Sequence, residues 1–125
     1  MNSKLLKGIG NDIVEINRIR VSVDKYGQTF FNKILNPTEI SYCLSFSDPI
    51  SRIAGRFSAK EAIGKALGFG FGEHLSFLDI TIENNQHGAP NVIFTKKVLE
   101  KFNDPQVLIS ISHCKNYATS FAIWV

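Results

Sequence analysis

Residues 50–67 carry the longest helical pattern in the chain, introduced by Asp48-Pro49 and followed by Gly68. Pro49 suits the first turn of a helix, where its missing N–H costs nothing, and glycine suits the left-handed residue that ends one. Ala54, Ser58, Ala62 and Ala66 recur at i+4 and form a stripe of small side chains, which lets another backbone approach closely. Apolar residues lie on more than one side, so the helix is expected to be central and buried. Between Gly55 and Gly68 four ionic groups are set into it, Arg56, Lys60, Glu61 and Lys65. A charge in such a place needs a partner or a ligand. Glu61 and Lys65 are i,i+4 neighbours in the favourable orientation, so one reading is a helix-surface ion pair worth about 0.3–0.5 kcal/mol.

The rest of the chain supplies what such a helix can pack against. Residues 5–14 read as a strand, with Leu5, Ile9 and Ile13 on one face and Gly8, Gly10 and Asp12 on the other. Helices are expected at 16–26, closed by Gly27, at 29–35, and after Asn36-Pro37-Thr38-Glu39, where Glu39 can reach back to an Asn36 cap. Residues 77–83 and 91–94 alternate as a hairpin around a turn-rich 84–90, and Thr95 introduces a short amphipathic helix through Phe102. Residues 107–113 and 117–125 form a second hairpin around Cys114-Lys115-Asn116. With 125 residues, 44% of them hydrophobic, the chain is expected to fold as a single α+β domain over residues 1–125, helices packed on an antiparallel sheet.

Several functions are excluded. Gly64-Lys65 is followed by Ala66 and position 59 is not glycine, so there is no Walker loop; Gly8-x-Gly10 and Gly70-x-Gly72 lack the third glycine of a dinucleotide fingerprint. His74, His87 and His113 have no i+3 or i+4 partner and no nearby nucleophile, which leaves a zinc protease or a hydrolase triad without support. Cys43 and Cys114 show no metal-binding spacing and are expected to be reduced packing residues. The net charge of +3 is concentrated early, with ten basic against six acidic residues in 1–65 and four against five in 66–125. That bias favours anionic partners, phosphates or acidic proteins, but is too mild to indicate nucleic acid. No stretch approaches the roughly 18 apolar residues of a membrane span, so a soluble cytoplasmic protein without a membrane partner is expected.

Asp12 changes the reading of the helix. A lone carboxylate on a glycine-lined strand face is a poor surface residue and a good ligand for a hard cation. Two carboxylates from different elements, Asp12 and Glu61, suit Mg2+, which prefers oxygen ligands and is usually held by one or two carboxylates together with substrate phosphates. Lys65, one turn from Glu61, would then face those phosphates, with Arg56 or Lys60 adding to the field.

Two segments resemble the signatures of holo-acyl-carrier-protein synthases, the short single-domain 4′-phosphopantetheinyl transferases. They are Gly8-Ile9-Gly10-Asn11-Asp12-Ile13-Val14-Glu15 with Arg18-Ile19, and Arg56-Phe57-Ser58-Ala59-Lys60-Glu61-Ala62 with Lys65-Ala66 and Gly68. The likeness extends to Leu75-Ser76-Phe77, Gly88-Ala89-Pro90 and Ser110-Ile111-Ser112-His113. It implies that fold, a homotrimer with active sites between protomers, and transfer of 4′-phosphopantetheine from coenzyme A to a serine of apo acyl carrier protein, releasing adenosine 3′,5′-bisphosphate, in fatty acid biosynthesis. It implies Asp12 and Glu61 as Mg2+ ligands, and Glu61 and Lys65 as catalytic groups. Lys65 would bind the pyrophosphate and stabilise or protonate the leaving group; Glu61 would be the base, directly or through a metal-bound water. Lys65, Gly68, Gly88, Pro90 and His113 would bind coenzyme A, and Arg18 the carrier protein, with Arg20, Lys25 and Lys33 able to extend that basic face. One departure is Thr29, where a basic residue often precedes the aromatic at Phe30.

A homotrimer also accords with Phe30, Phe31, Phe69, Phe71, Phe77 and Trp124, which are expected to leave apolar surface exposed. The competing reading is a non-catalytic module that applies its basic N-terminal half to an acidic protein or nucleic acid and is indifferent to Asp12 and Glu61.

Overall fold

The computed structural model describes residues 5–72 and 74–125. Its spine is the expected long helix, α4 (Pro49–Leu67), with Pro49 in the first turn and Gly68 in the left-handed conformation (φ 85°) at its end. Asp48 precedes it, but its side chain makes no cap hydrogen bond. Before α4 come strand β1 (Gly8–Glu15) and helices α1 (Ile16–Tyr26), α2 (Gln28–Ile34) and α3 (Pro37–Leu44). After it come β2 (Ile80–Asn84), β3 (Pro90–Phe94), α5 (Lys96–Lys101), β4 (Val107–His113) and β5 (Tyr117–Trp124). The fold is α+β, but its strands form two antiparallel sheets: β1-β5-β4, and the separate hairpin β2-β3. Phe77–Asp79, expected to begin a strand, is instead a 3₁₀ turn. Asp79 accepts the Ser76 N–H at 2.8 Å and the Leu78 N–H reaches Ser76 Oγ, a local cap that outcompetes the alternating pattern.

The three-stranded sheet explains the small residues. Asp12 pairs with Ser120, and Ser120 with Ile111, so these three residues form one row across the sheet. The small-residue stripe of α4 lies on that inner face. A Cβ on Gly10 would collide with the Ala62 carbonyl and crowd Ala66 N and Lys65 Cβ; one on Gly8 would collide with the Ala66 carbonyl. Further along, Ser58 Oγ donates to the Gly55 carbonyl (3.1 Å) and meets Ser120 Oγ at 2.6 Å, while Gly55 makes room for Ile111. The glycine face of β1 is therefore the covered one, and its apolar face points outward. Ile9 and Ile13 are 58% and 65% exposed, beside Leu108, Tyr117 and Phe121. The apolar surface thus comes from these strand residues; Phe30, Phe31, Phe69, Phe71, Phe77 and Trp124 are all half-buried.

Two clusters of buried residues flank α4. Ala59, Ala62, Ile63 and Leu67 pack with Leu75, Ile80, Ile82, Phe94 and Val98. Ile50, Ile53 and Ala54 pack with Ile16, Ile19, Ile34, Leu35, Cys43 and Ala118. Burial pushes the Cys43 thiol up to about 11, in keeping with a packing residue. Cys114 is exposed, contrary to expectation, because the β4–β5 turn carries it clear of both clusters.

Lys60 corrects a second expectation. It faces no phosphate. Its ammonium is fully buried and donates to Glu39 Oε1 (2.7 Å), the Ile34 carbonyl (2.7 Å) and the Phe77 carbonyl (3.1 Å). Glu39, also buried, accepts the Asn36 N–H (2.8 Å), the reach-back expected at this helix start, and the Ile82 N–H (3.0 Å). Asn36 turns its own amide toward the Leu78 and Ile80 carbonyls and Thr81. Burial pushes the Lys60 pKa below the ordinary lysine range, and Glu39 pulls it back. Removing one partner strands the other charge in a dry interior. Lys60→Met should therefore lower the unfolding free energy in urea by about 3–5 kcal/mol. Adding Glu39→Leu should recover only part of that, because four main-chain groups stay orphaned. A single-variant loss below about 1 kcal/mol would refute this role.

Candidate active site

The packing of β1 on α4 sets the chemistry at their junction. β1 presents Asp12 on the same inner face as Gly8 and Gly10, next to the helical turns that carry Glu61 and Lys65. Lys65 Nζ donates to Asp12 Oδ1 at 3.1 Å and to the Asn11 carbonyl at 3.0 Å. The only ion pair Lys65 makes among the described residues is this one, so the i,i+4 pair with Glu61 does not form. Glu61 still senses both neighbours. Burial, and then the Asp12 charge, push its pKa above the ordinary carboxylate range, while Lys65 pulls it down. On the outer face, the Thr119 hydroxyl donates to the Asp12 carbonyl (2.9 Å) and tethers that stretch of β1 to β5.

This donor set fits a divalent cation of the magnesium type. Both groups are hard oxygen donors, and the mutual disfavour of their charges is what a dication relieves. No cluster of three or more His, Cys, Asp or Glu side chains occurs among the described residues. Two protein carboxylates leave the remaining positions to water and substrate phosphate, which suits Mg2+ rather than a dedicated protein cage.

A second feature lies on the β4 side of α4. A cavity of about 350 Å³ is lined by Arg52, Arg56, Asn84, Gly88, Pro90 and His113, among others, with no acidic side chain. Arg56 is only 4% exposed. Its guanidinium lies 4.4 Å from the Tyr42 ring centre and donates to Asn84 Oδ1, and its Nε has no partner. Asn84 in turn donates to the Gly88 carbonyl (2.9 Å), which fixes the β2–β3 turn as one wall. The cavity is thus a cationic recess. Its two arginines were the residues sequence reasoning missed as a pair, although Arg52 and Arg56 stand at i,i+4.

The residues expected to bind coenzyme A therefore fall into two groups. Gly88, Pro90 and His113 share the cavity. Lys65 lies at Asp12, and Gly68 ends the helix three residues later, outside the cavity. Arg18 stands on an exposed position of α1 and is not part of the cavity lining.

A family model described as the 4′-phosphopantetheinyl transferase superfamily matches residues 8–122. The chain belongs to that superfamily. Within it, the chain is 50% identical over 117 residues to a holo-[acyl-carrier-protein] synthase of Protochlamydia amoebophila, covering 94% of this chain and 96% of that one. Among solved structures, the holo-[acyl-carrier-protein] synthase of Helicobacter pylori in complex with coenzyme A superposes with a TM-score of 0.87 at 40% identity, covering 94% and 99% of the two chains. The Bacillus anthracis synthase, in complex with CoA (3′,5′-ADP), superposes with 0.82 at 36% identity, covering 95% and 96%.

Gly10 sets the distance between β1 and α4 and hence the reach from Asp12 to Glu61. Gly10→Ala should cost about 1–3 kcal/mol of stability through overpacking. Where the fold persists, it should also weaken Mn2+ binding at least tenfold by calorimetry. Unchanged metal affinity in a folded Gly10→Ala protein would contradict this spacing role.

Proposed function

We propose that the chain transfers 4′-phosphopantetheine from coenzyme A to a serine hydroxyl of apo acyl carrier protein, as a holo-[acyl-carrier-protein] synthase of fatty acid biosynthesis. The observation that carries this reading is the meeting of Asp12, Glu61 and Lys65 at the β1–α4 junction, in a chain half identical to a synthase of that name. Phosphoryl transfer asks mainly for in-line positioning and neutralisation of charge on the phosphate oxygens. Asp12 and Glu61 would hold Mg2+, which when bound supplies Lewis-acid neutralisation of the pyrophosphate. Lys65, more than half exposed, swings from Asp12 to the pyrophosphate as a point charge. The serine oxygen forms the new bond to phosphorus, the bridging P–O bond breaks toward adenosine 3′,5′-bisphosphate, and the serine proton passes to the Glu61 carboxylate, directly or through water. A carboxylate that also ligates the metal is weakly basic, which favours the route through water.

The cationic recess suits the other end of coenzyme A. Arg52, Arg56 and His113, which line the recess with Gly88 and Pro90, would face the nucleotide phosphates, and the turn would border them. Within one protomer Asp12 and Ile111 stand two strands apart, about 10 Å, with α4 lying over the sheet between the carboxylates and the recess. A single ligand reaches both halves most simply if a second copy supplies one of them. The exposed strip of Ile9, Ile13, Leu108, Tyr117 and Phe121 provides an apolar surface for that contact. A closed ring of three repeats one heterologous cleft at each boundary. Arg18 on α1 then offers a positive charge to an acidic carrier protein. No described helix is long and apolar enough to cross a membrane, and a cytoplasmic reaction is part of this proposal.

Incubation with coenzyme A, Mg2+ and apo carrier should add one phosphopantetheine to the carrier in a mass spectrum. Asp12→Ala should reduce the rate at least a hundredfold, and Arg56→Ala should chiefly raise the KM for coenzyme A. Coexpressed Asp12→Ala and Arg56→Ala chains should recover part of the activity, because mixed assemblies contain intact clefts. Wild-type rates from Asp12→Ala would sink the reading of the site. Absence of recovery in demonstrably mixed assemblies would sink the shared cleft.

A further inference from the structure

Lys65 occupies a position that the proposed metal also needs. Its ammonium bridges two oxygens of β1, Asp12 Oδ1 at 3.1 Å and the Asn11 carbonyl at 3.0 Å. A Mg2+ ion bound to the same carboxylate would stand about 2.0–2.1 Å from its oxygen, and an ammonium held at hydrogen-bond distance from that oxygen would repel it. The two cations therefore compete for Asp12. The competition is mild by design of the site. The Lys65 side chain is 55% exposed and that of Asp12 17%, so the ion pair is of the partly solvated kind, worth no more than about fivefold in an equilibrium. No other cation lies within ion-pair distance of Asp12 among the described residues. Glu61, the other carboxylate, forms no ion pair at all among them, which leaves Lys65 as the direct counter-charge of the two carboxylates.

We propose that Lys65 is a resident counter-cation which holds the divalent-ion position in the coenzyme-free enzyme and vacates it when a pyrophosphate arrives. This rests on reading Asp12 and Glu61 as the Mg2+ ligands. Its consequence is coupling: the pyrophosphate draws the ammonium away from Asp12, which frees the carboxylate for the metal, so each ligand strengthens binding of the other beyond their direct contact. A metal ion alone meets an occupied site, and coenzyme A alone meets a lysine already engaged. The same pair also orients the Asp12 carboxylate, so no rearrangement of β1 is needed when the metal enters.

The test is Mn2+ binding by electron paramagnetic resonance, with and without coenzyme A, carrier protein being absent so that no turnover occurs. Lys65→Met should bind Mn2+ about two- to fivefold more tightly than wild type without coenzyme A, and coenzyme A should enhance its metal affinity less than it enhances that of the wild type. Lys65→Arg, which keeps the counter-cation, should remain weak like the wild type. Thermal melts report whether each variant is folded. Unchanged or weaker Mn2+ binding by folded Lys65→Met without coenzyme A overturns the proposal. If Asp12→Ala binds Mn2+ as the wild type does, or no form binds it even with coenzyme A, the metal reading itself fails, a result distinguishable from failure of the lysine's role alone.

Discussion

The contact on which the structure turns is the close approach of β1 to α4, made possible by side chains that are missing rather than present. Gly8 and Gly10 lie against the carbonyls of Ala66 and Ala62, and a single methyl group at either glycine would collide with helix backbone. Glycine in a strand interior costs stability, so its presence twice in three residues marks a place where distance matters more than propensity. The distance fixed is that between a strand bearing Asp12 and a helix bearing Glu61 and Lys65. Ser58 and Ser120, joined at 2.6 Å one strand further in, hold the same layer together by a buried hydrogen bond.

Four of the five ionic residues on α4 divide their labour according to burial. Lys60 is sealed inside with Glu39 and welds α4 to the C-terminal end of α2, the start of α3 and strand β2. Arg56, equally hidden, stacks beneath Tyr42 and bonds Asn84, with one nitrogen left over at the recess. Glu61 and Lys65 stay near solvent at the β1 junction. A buried, fully bonded charge serves the architecture; a charge that keeps water or an unpaired nitrogen stays available to a ligand.

Much of this was legible in the chain. The i+4 stripe of Ala54, Ser58, Ala62 and Ala66 located the packed face of α4, and the alternation in β1 assigned Asp12 to the glycine side. Family resemblance through two separated motifs agreed with the family match over residues 8–122. Other features were not legible, for physical reasons. Helical spacing makes Glu61–Lys65 a natural pair, yet a strand carboxylate from 53 positions away captured the lysine. Lys60 looks like a surface cation until its partner Glu39, on another helix, is brought beside it. Ile9 and Ile13 read as core in any alternating strand, but the helix covers the opposite face and leaves them outside. Each of these outcomes depends on tertiary contacts between distant segments.

The most direct measurement is anomalous diffraction from crystals grown with Mn2+ and coenzyme A. The expected result is one strong peak at coordination distance from both Asp12 and Glu61, with Lys65 turned from Asp12 toward the pyrophosphate. A peak held by other residues, or coenzyme A bound with Lys65 still on Asp12, would contradict the mechanism built on this junction.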